Sequence, residues 1–473
     1  MPSPLPNARP GQRDATSRLL PFEPGTVVEV TVQRLNNHGE GVGRVPLPAA
    51  SNGAGWVVLV PYVAEGERIR ARIVRNGPKH SVAALVEILD GSPLRRQPVC
   101  KHFGVCGGCQ YQHLPYTEQL RVKTKHVSDG LQRIGGLSPS AAIEITAPAK
   151  GSPEEFHYRS KLTPRYSSSS DGSSAVGFAS VWSHDAQIVD VPSCALATEA
   201  INAELGTLRE EVRRVLPAAA ASGSLLLRHT ADEGVVCDPE QIVTEVLGPL
   251  RLRFRAGDFF QNNPHVLPAL VEHVVDAACG GGPGEEGACS DLIDAYCGSG
   301  LFALCAAHRF DSCVGIETCA GAVEAARANA AANGVANARF HVGSAEKIFD
   351  DVGPLEGHRT AVVVDPPRKG CSGAFLQQLC GFGPRRIVYV SCAPDTQARD
   401  LKVLLAAGYV LAGVQPFDLF PQSRHIESVA TLVWPEAAEP PRPQRPAAPA
   451  PSAPRRRGHN AARRPRGKGR RRD

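Results

Sequence analysis

The chain has 473 residues, 42% of them hydrophobic, and a formal net charge of +5. At about 100–200 residues per domain this allows two to four domains, and no apolar run approaches the roughly 18–20 residues of a membrane span. The opening stretch MPSPLPNARPGQRD lacks the apolar core of a signal peptide, so a cytoplasmic protein is expected.

Residues 1–20 read as disordered. Residues 21–92 read as a small all-β unit, because GTVVEVTVQRLNNHGEGVGRV, GWVVLVPYV, GERIRARIVRN and SVAALVEILD alternate apolar and polar positions. Five short strands suit an OB-like barrel, a common binder of single-stranded nucleic acid. Cys100, Cys106 and Cys109 follow with the spacing C-x5-C-x2-C. Three cysteines so close, with two glycines between the last two, form a metal-ligand pattern. Zinc and iron–sulfur centres both take four ligands, and the spacing alone does not separate them. Cys194, in the loop of VDVPSCAL, is the candidate fourth ligand. The 14 cysteines are otherwise not a disulfide framework, which a cytosolic chain would not keep. Several, such as Cys305 and Cys380, sit in Ala-rich stretches as small core residues.

Residues 93–255 read as a mixed α/β unit with a helix near 196–215. From 256 to 436 strands and helices alternate, which predicts a mostly parallel, Rossmann-like sheet whose ligands bind at the strand C-terminal ends. SDLIDAYCGSGLFALCAA is strand, glycine turn, helix; TAVVVDPPRKG and RRIVYVSCAP are strands that end in Asp365 and Cys392. Residues 437–473 belong to a Pro/Ala/Arg-rich tail. Positions 440–473 carry 12 Lys/Arg and one acidic residue, a net +11 that leaves −6 on the rest. Such a tail is expected to be disordered and to contact RNA.

The cofactor follows from the α/β unit. Asp294 ends a strand, and Gly298 and Gly300 open a helix, without the full G-x-G-x-x-G that a pyrophosphate needs. Glu317 ends the next strand, where a carboxylate can accept from ribose hydroxyls. A ligand with a ribose, no phosphate and a cationic sulfur fits, which points to S-adenosylmethionine rather than NAD.

With FFQNNP (259–264), DAYCGSG (294–300), DPPRKG (365–370), SCAPDTQARDL (391–401) and FDLFPQSRHIESVA (417–430) in this order, the chain resembles the class I uracil-C5 RNA methyltransferases that carry a TRAM domain and an iron–sulfur cluster. The resemblance covers about residues 22–434. It implies that Gln261, Tyr296, Glu317 and Asp365 contact S-adenosylmethionine, that Cys392 is the nucleophile, and that Glu427 accepts the proton. It also implies a 4Fe–4S cluster on Cys100, Cys106, Cys109 and Cys194. Three positions depart from the commoner pattern: Leu301, Ser344 and the FPQSRHIE segment with Gln422.

The chemistry needs these residue types. Carbon 5 of uracil is a weak nucleophile until a thiolate adds to C6; afterwards a base must remove the C5 proton. A helix N-terminus after Cys392 is expected to lower its thiol pKa, and the target base must leave its stack. The expected partner is RNA, with ribosomal RNA favoured over tRNA by analogy with other TRAM proteins, and the expected state is a monomer. Two alternatives remain at this stage: an amino-group methyltransferase using DPPR, which does not need Cys392, and a non-catalytic iron–sulfur RNA-binding protein.

Overall fold

The computed structural model describes residues 21–46, 55–168, 174–182, 187–215, 222–281, 288–344, 348 and 353–435. The two terminal segments expected to be disordered lie outside the described residues. No helix among the described residues is long and apolar enough to cross a membrane.

The N-terminal sheet has six strands: β1 (Val27–Thr31), β2 (Arg34–Leu35), β3 (Glu40–Val45), β4 (Trp56–Pro61), β5 (Arg68–Asn76) and β6 (His80–Asp90), in the order β1-β5-β6-β4-β3-β2. Alternation sets its faces: Ile69, Ala71 and Ile73 are buried while Arg68, Arg70 and Arg72 face out. The sheet folds over itself where β1 crosses β3. At Gly43 a Cβ would overlap Val30 and the Thr31 carbonyl, so only glycine permits that approach. The expected strands are all present. The addition is β2, two residues long, formed because the Asn36 side-chain oxygen accepts from the backbone of His38 and Glu40 and tightens the turn into β3.

Next come α1 (Tyr116–Arg133), α2 (Pro139–Ile145), β7 (Lys161–Leu162), β8 (Arg165–Ser168), β9 (Ser174–Ala179), β10 (Ile188–Asp190), α3 (Glu199–Val215), β11 (Ser222–Ser224), β12 (Leu227–Thr230) and β13 (Gly234–Val236). β10-β9-β8-β11 and β13-β12-β7 form two small antiparallel sheets. Their core holds Leu162, Val176, Ile201, Leu205 and Leu227. A hairpin of β14 (Ile242–Leu247) and β15 (Leu250–Arg255) leads through α4 (Leu267–Cys279) to the large sheet.

That sheet contains β16 (Asp291–Ala295), β17 (Ser312–Glu317), β18 (Ala338–Val342), β19 (Thr360–Val364), β20 (Arg386–Ser391), β21 (Val410–Phe417) and β22 (Glu427–Val433), in the order β18-β17-β16-β19-β20-β22-β21. The helices α5 (Leu301–Ala306), α6 (Ala320–Ala332), α7 (Gly373–Phe382) and α8 (Pro394–Ala406) connect its strands. The first five strands are parallel, and β22 runs antiparallel to β20 and β21. This is the expected Rossmann-like, mostly parallel sheet. Every residue of β19 is buried, as a strand covered on both faces requires. One layer of that cover comes from far upstream: Val127, Leu131 and Ala142 of α1 and α2 share a core with Tyr389, Leu401 and Val414.

Candidate active site

The reversed direction of β22 builds the site. Parallel strands deliver their C-terminal ends to one edge of the sheet, and an antiparallel strand delivers its first residue there. Ser391 pairs with Ser428, so the next step of the register sets Cys392 against Glu427. Cys392 is half-buried and opens into a cavity of about 170 Å³ that Arg368 and His425 also line. Burial and then the charge of Glu427 push its thiol pKa up, while Arg368, by charge and by hydrogen bond, pulls it down. The expected lowering by the helix N-terminus is therefore reversed in the free enzyme, because desolvation and a neighbouring carboxylate outweigh it.

Glu427 is buried, and burial followed by the charge of Asp365 lifts its carboxyl well above the usual range, against a smaller opposing pull from Arg368. Burial lifts Asp365 to about 7. Both carboxyls therefore hold protons far above the pH at which exposed ones lose them.

The neighbouring strand ends form an arc of acids. Glu317 ends β17, accepts from the backbone N–H of Gly298 at 3.3 Å, and is tied by Cys319 N–H at 2.9 Å. Asp294, fully buried in β16, accepts from Ala303 N–H at 3.0 Å through one oxygen; its other oxygen is buried without a partner. Burial, then Asp365 and Glu317, raise Asp294 to about 8. Gly298 has φ 53 and nothing within 4 Å of a would-be Cβ, so the turn faces open space. Tyr296 holds a left-handed backbone at φ 66, with its ring edge-on to Phe375 at 5.8 Å. Clustered acids with an orphaned buried oxygen fit a ligand with a sulfonium and an ammonium group. These interactions join Glu317, Asp365, Glu427 and Cys392. Gln261 is buried on the segment between β15 and α4 and is not joined to them by any of these interactions. Its neighbour Phe259 is 79% exposed, a large apolar side chain that the sequence reading passed over.

The loop between β21 and β22 carries Glu427 into place and is pinned from three directions. Lys123 of α1, fully buried, donates to Asp418 at 2.7 Å and to the Phe420 carbonyl at 3.1 Å. Tyr158 donates to the Pro421 carbonyl at 3.0 Å. Gln422, buried at φ 68, exchanges two hydrogen bonds of 2.9 Å with the Gln119 side chain. Its carbonyl accepts from Gln110 and Tyr111 N–H at 3.0 and 2.9 Å. Those residues directly follow Cys109, so the cysteine loop and the loop before β22 are stitched together.

Cys100, Cys106, Cys109 and Cys194 line one cavity of about 210 Å³. No three His, Cys, Asp or Glu side chains among the described residues converge closely enough for a single metal ion. The buried Nε2 of His102, which lines the same cavity, has no partner in the protein, and the Gln112 amide donates to Cys109 Sγ at 3.2 Å. The donor set thus fits an iron–sulfur group with polar neighbours. Beyond Phe259, the sequence reading also missed Arg368, legible only as part of DPPRKG, and Asn37 and His38, which reach the Cys392 cavity from the N-terminal barrel. No local pattern announces that last contact.

Residues 248–434 match the family model described as tRNA (Uracil-5-)-methyltransferase, and residues 21–80 match the TRAM domain. A tRNA (uracil(54)-C(5))-methyltransferase of Schizosaccharomyces pombe is 36% identical over 429 residues, covering 87% of this chain and 79% of that protein. The protein of the same name in Saccharomyces cerevisiae is 30% identical over 473 residues, covering 86% and 73%. The crystal structure of Pyrococcus abyssi tRNA (uracil-54, C5)-methyltransferase in complex with S-adenosyl-L-homocysteine aligns with a TM-score of 0.64 at 25% identity, covering 86% of this chain and all of that one.

Proposed function

The chain belongs to the uracil-5 RNA methyltransferase family, whose members use S-adenosylmethionine, and from that premise we propose that it methylates C5 of a uridine in tRNA through a covalent adduct on Cys392. The tRNA reading rests on the names of the two yeast relatives and the archaeal structure, all tRNA uracil-54 enzymes. The preference for ribosomal RNA drawn from the TRAM domain finds no support among them.

The observation that carries the mechanism is the juxtaposition of a half-buried thiol, a buried carboxyl and an arginine at one sheet edge. Cys392 gives up its proton to solvent, Arg368 offsets the negative charge of the thiolate, and sulfur then bonds to C6 of uracil. The resulting enolate carries electron density at C5. C5 attacks the methyl group on the cationic sulfur of the co-substrate S-adenosylmethionine; the C5–CH3 bond forms as the S–CH3 bond breaks, and S-adenosylhomocysteine leaves as a neutral thioether. Glu427 then takes the C5 proton, the electron pair re-forms the C5–C6 double bond, and the C6–S bond breaks to release Cys392. Glu427 acts in its ionised form, which Arg368 and the cationic sulfur favour, and burial makes that carboxylate a strong base. Glu317, Asp365 and Tyr296 are assigned to holding the methyl donor, and Gln261 joins them on family resemblance.

A 4Fe–4S cluster on Cys100, Cys106, Cys109 and Cys194 is part of this reading. It would supply structural cross-linking, since no step above takes an electron. Its ligand loop holds the loop that carries Glu427.

Glu427→Gln, incubated with tRNA and S-adenosylmethionine, is expected to accumulate an RNA–protein adduct that survives denaturing electrophoresis. Cys392→Ala and the double variant are expected to give none. Near-normal methylation by Cys392→Ala would overturn the mechanism in favour of amino-group transfer.

A further inference from the structure

Two cavities meet at the mouth of the site. The smaller, about 170 Å³, holds Cys392. The larger, about 630 Å³, lies between the N-terminal barrel, the cysteine loop and Trp182. His38, Arg424 and His425 line both. His38 comes from the turn before β3, and the other two from the loop before β22. The Arg424 guanidinium meets His38 Nδ1, and Asn37 donates to Asp395 at 2.5 Å, so barrel and catalytic unit touch on the line between the cavities. Arg424 is fixed from behind, since its backbone N–H donates to the Gln110 side chain at 3.1 Å.

The larger cavity has the volume of a small-ligand site, where pockets run about 300–1,000 Å³, while the smaller falls below that range and suits one base. Its charged lining favours an anion. Arg75 and Arg424 face it against one carboxylate, Glu40, which is engaged by the Asn36 amide at 3.0 Å, and the imidazoles of His38, His80 and His425 add polar ring nitrogens to its wall. It also has an aromatic wall. Trp182 donates its indole N–H to the Gly104 carbonyl at 2.7 Å, which fixes the ring, and Tyr62 stands 6.4 Å from it, edge-on. A basic cavity with an anchored indole is what a nucleotide needs: a phosphate partner and a stacking face.

We propose that the larger cavity is a second RNA subsite, which takes the nucleotide adjoining the target uridine, stacks its base on Trp182, and presents the linking phosphate to Arg424. The His38 contact holds Arg424 in the free enzyme. An imidazole is a weak partner for a guanidinium, and a phosphate displaces it with charge-assisted, bidentate hydrogen bonds. The barrel thereby contributes to choosing which uridine enters, through its neighbour. This rests on the reading of the chain as an RNA uridine methyltransferase.

The test measures binding by fluorescence anisotropy, with the full chain and a labelled, unmodified tRNA transcript. Two further transcripts carry an abasic site on one side or the other of the target uridine. Trp182→Ala is expected to raise the RNA Kd about tenfold, the worth of one base–aromatic stack, and Trp182→Phe to restore most of it. One of the abasic sites is expected to weaken binding to the wild type by a similar factor and to have no further effect on Trp182→Ala. Arg424→Gln is expected to reduce the salt slope by about one phosphate contact. The proposal is overturned if Trp182→Ala binds like the wild type, or if each abasic site weakens both proteins equally. Unchanged S-adenosylmethionine affinity in every variant reports an intact fold. Failure of the underlying reading has a separate signature: the wild type binds the transcript but leaves no 5-methyluridine in it.

Discussion

Lowering the pH from 8 to 6 should weaken S-adenosylmethionine binding about tenfold. In the free enzyme Asp365 titrates at about 7 because it is buried, and Asp294 at about 8 because burial, Asp365 and Glu317 all disfavour its charge. A cationic sulfur favours the ionised form of Asp365, so binding lowers the pKa of that one carboxyl and expels a proton, while Asp294 keeps its own. The sign is fixed by this difference. Affinity rises with pH while the free carboxyl is still protonated, and levels off once it is ionised in both states. A group with a pKa of about 7 is ionised in about one molecule in eleven at pH 6 and in about ten in eleven at pH 8, which gives the factor of about ten. Isothermal titration calorimetry in buffers of different ionisation enthalpy reads both the affinity and the released proton. S-adenosylhomocysteine, with a neutral sulfur, should show a shallower slope, and Asp365→Asn should reduce the slope for S-adenosylmethionine. Equal affinities at pH 6 and 8, or identical slopes for the two ligands, would refute the electrostatic reasoning.

Purified without oxygen, the chain should be brown and hold about four irons, and Cys194→Ser should lose them; one zinc and no iron would sink the cluster assignment. Lys123→Met should destabilise the fold by about 3–5 kcal/mol in denaturant titrations, because it strands the buried Asp418 carboxylate, and adding Asp418→Leu should recover much of that. If the double variant is as unstable as the single, the pair is not the cause. Gln422→Ala removes the side-chain oxygen to which Gln119 donates, while the backbone N–H of residue 422 still donates to Gln119; the stranded buried amide costs about 1–3 kcal/mol. Its kcat should fall more than its affinity for S-adenosylmethionine, with adduct accumulating as Glu427 drifts; Gln422→Asn should retain more activity.

Much of the large sheet was legible because its strands are buried on both faces. TAVVV and RIVYV are unbroken apolar runs, and the polar residues that follow, Asp365 and Cys392, had to lie at the edge where such sheets bind ligands. The four cysteines were legible from type and spacing, and they line one cavity. What stayed hidden depends on contacts between distant segments. The packing of α1 on the large sheet is carried by Val127 and Leu131, which read as an ordinary apolar stripe with no mark of what it faces. The direction of the Cys392 shift turns on burial and on Glu427, neither of which a helix N-terminus reveals. Asn37 and His38 occupy a turn whose sequence explains the turn alone; that they reach Cys392 is a fact of how the barrel docks.

The buried pair of Lys123 and Asp418 joins residues 295 positions apart, and Gln119 and Gln422 are 303 apart. The large sheet therefore cannot be completed as the ribosome delivers it. When α1 emerges, its buried lysine has no counter-charge, and it waits for β21, β22 and the loop between them, which are made about 290 residues later. Such long-range closure predicts slow folding and an exposed apolar intermediate during synthesis. It also sets where the protein can be divided. A fragment cut at residue 248, where the family match begins, lacks Lys123 and Gln119 and should be insoluble alone, and co-expression with a fragment containing α1 should rescue it.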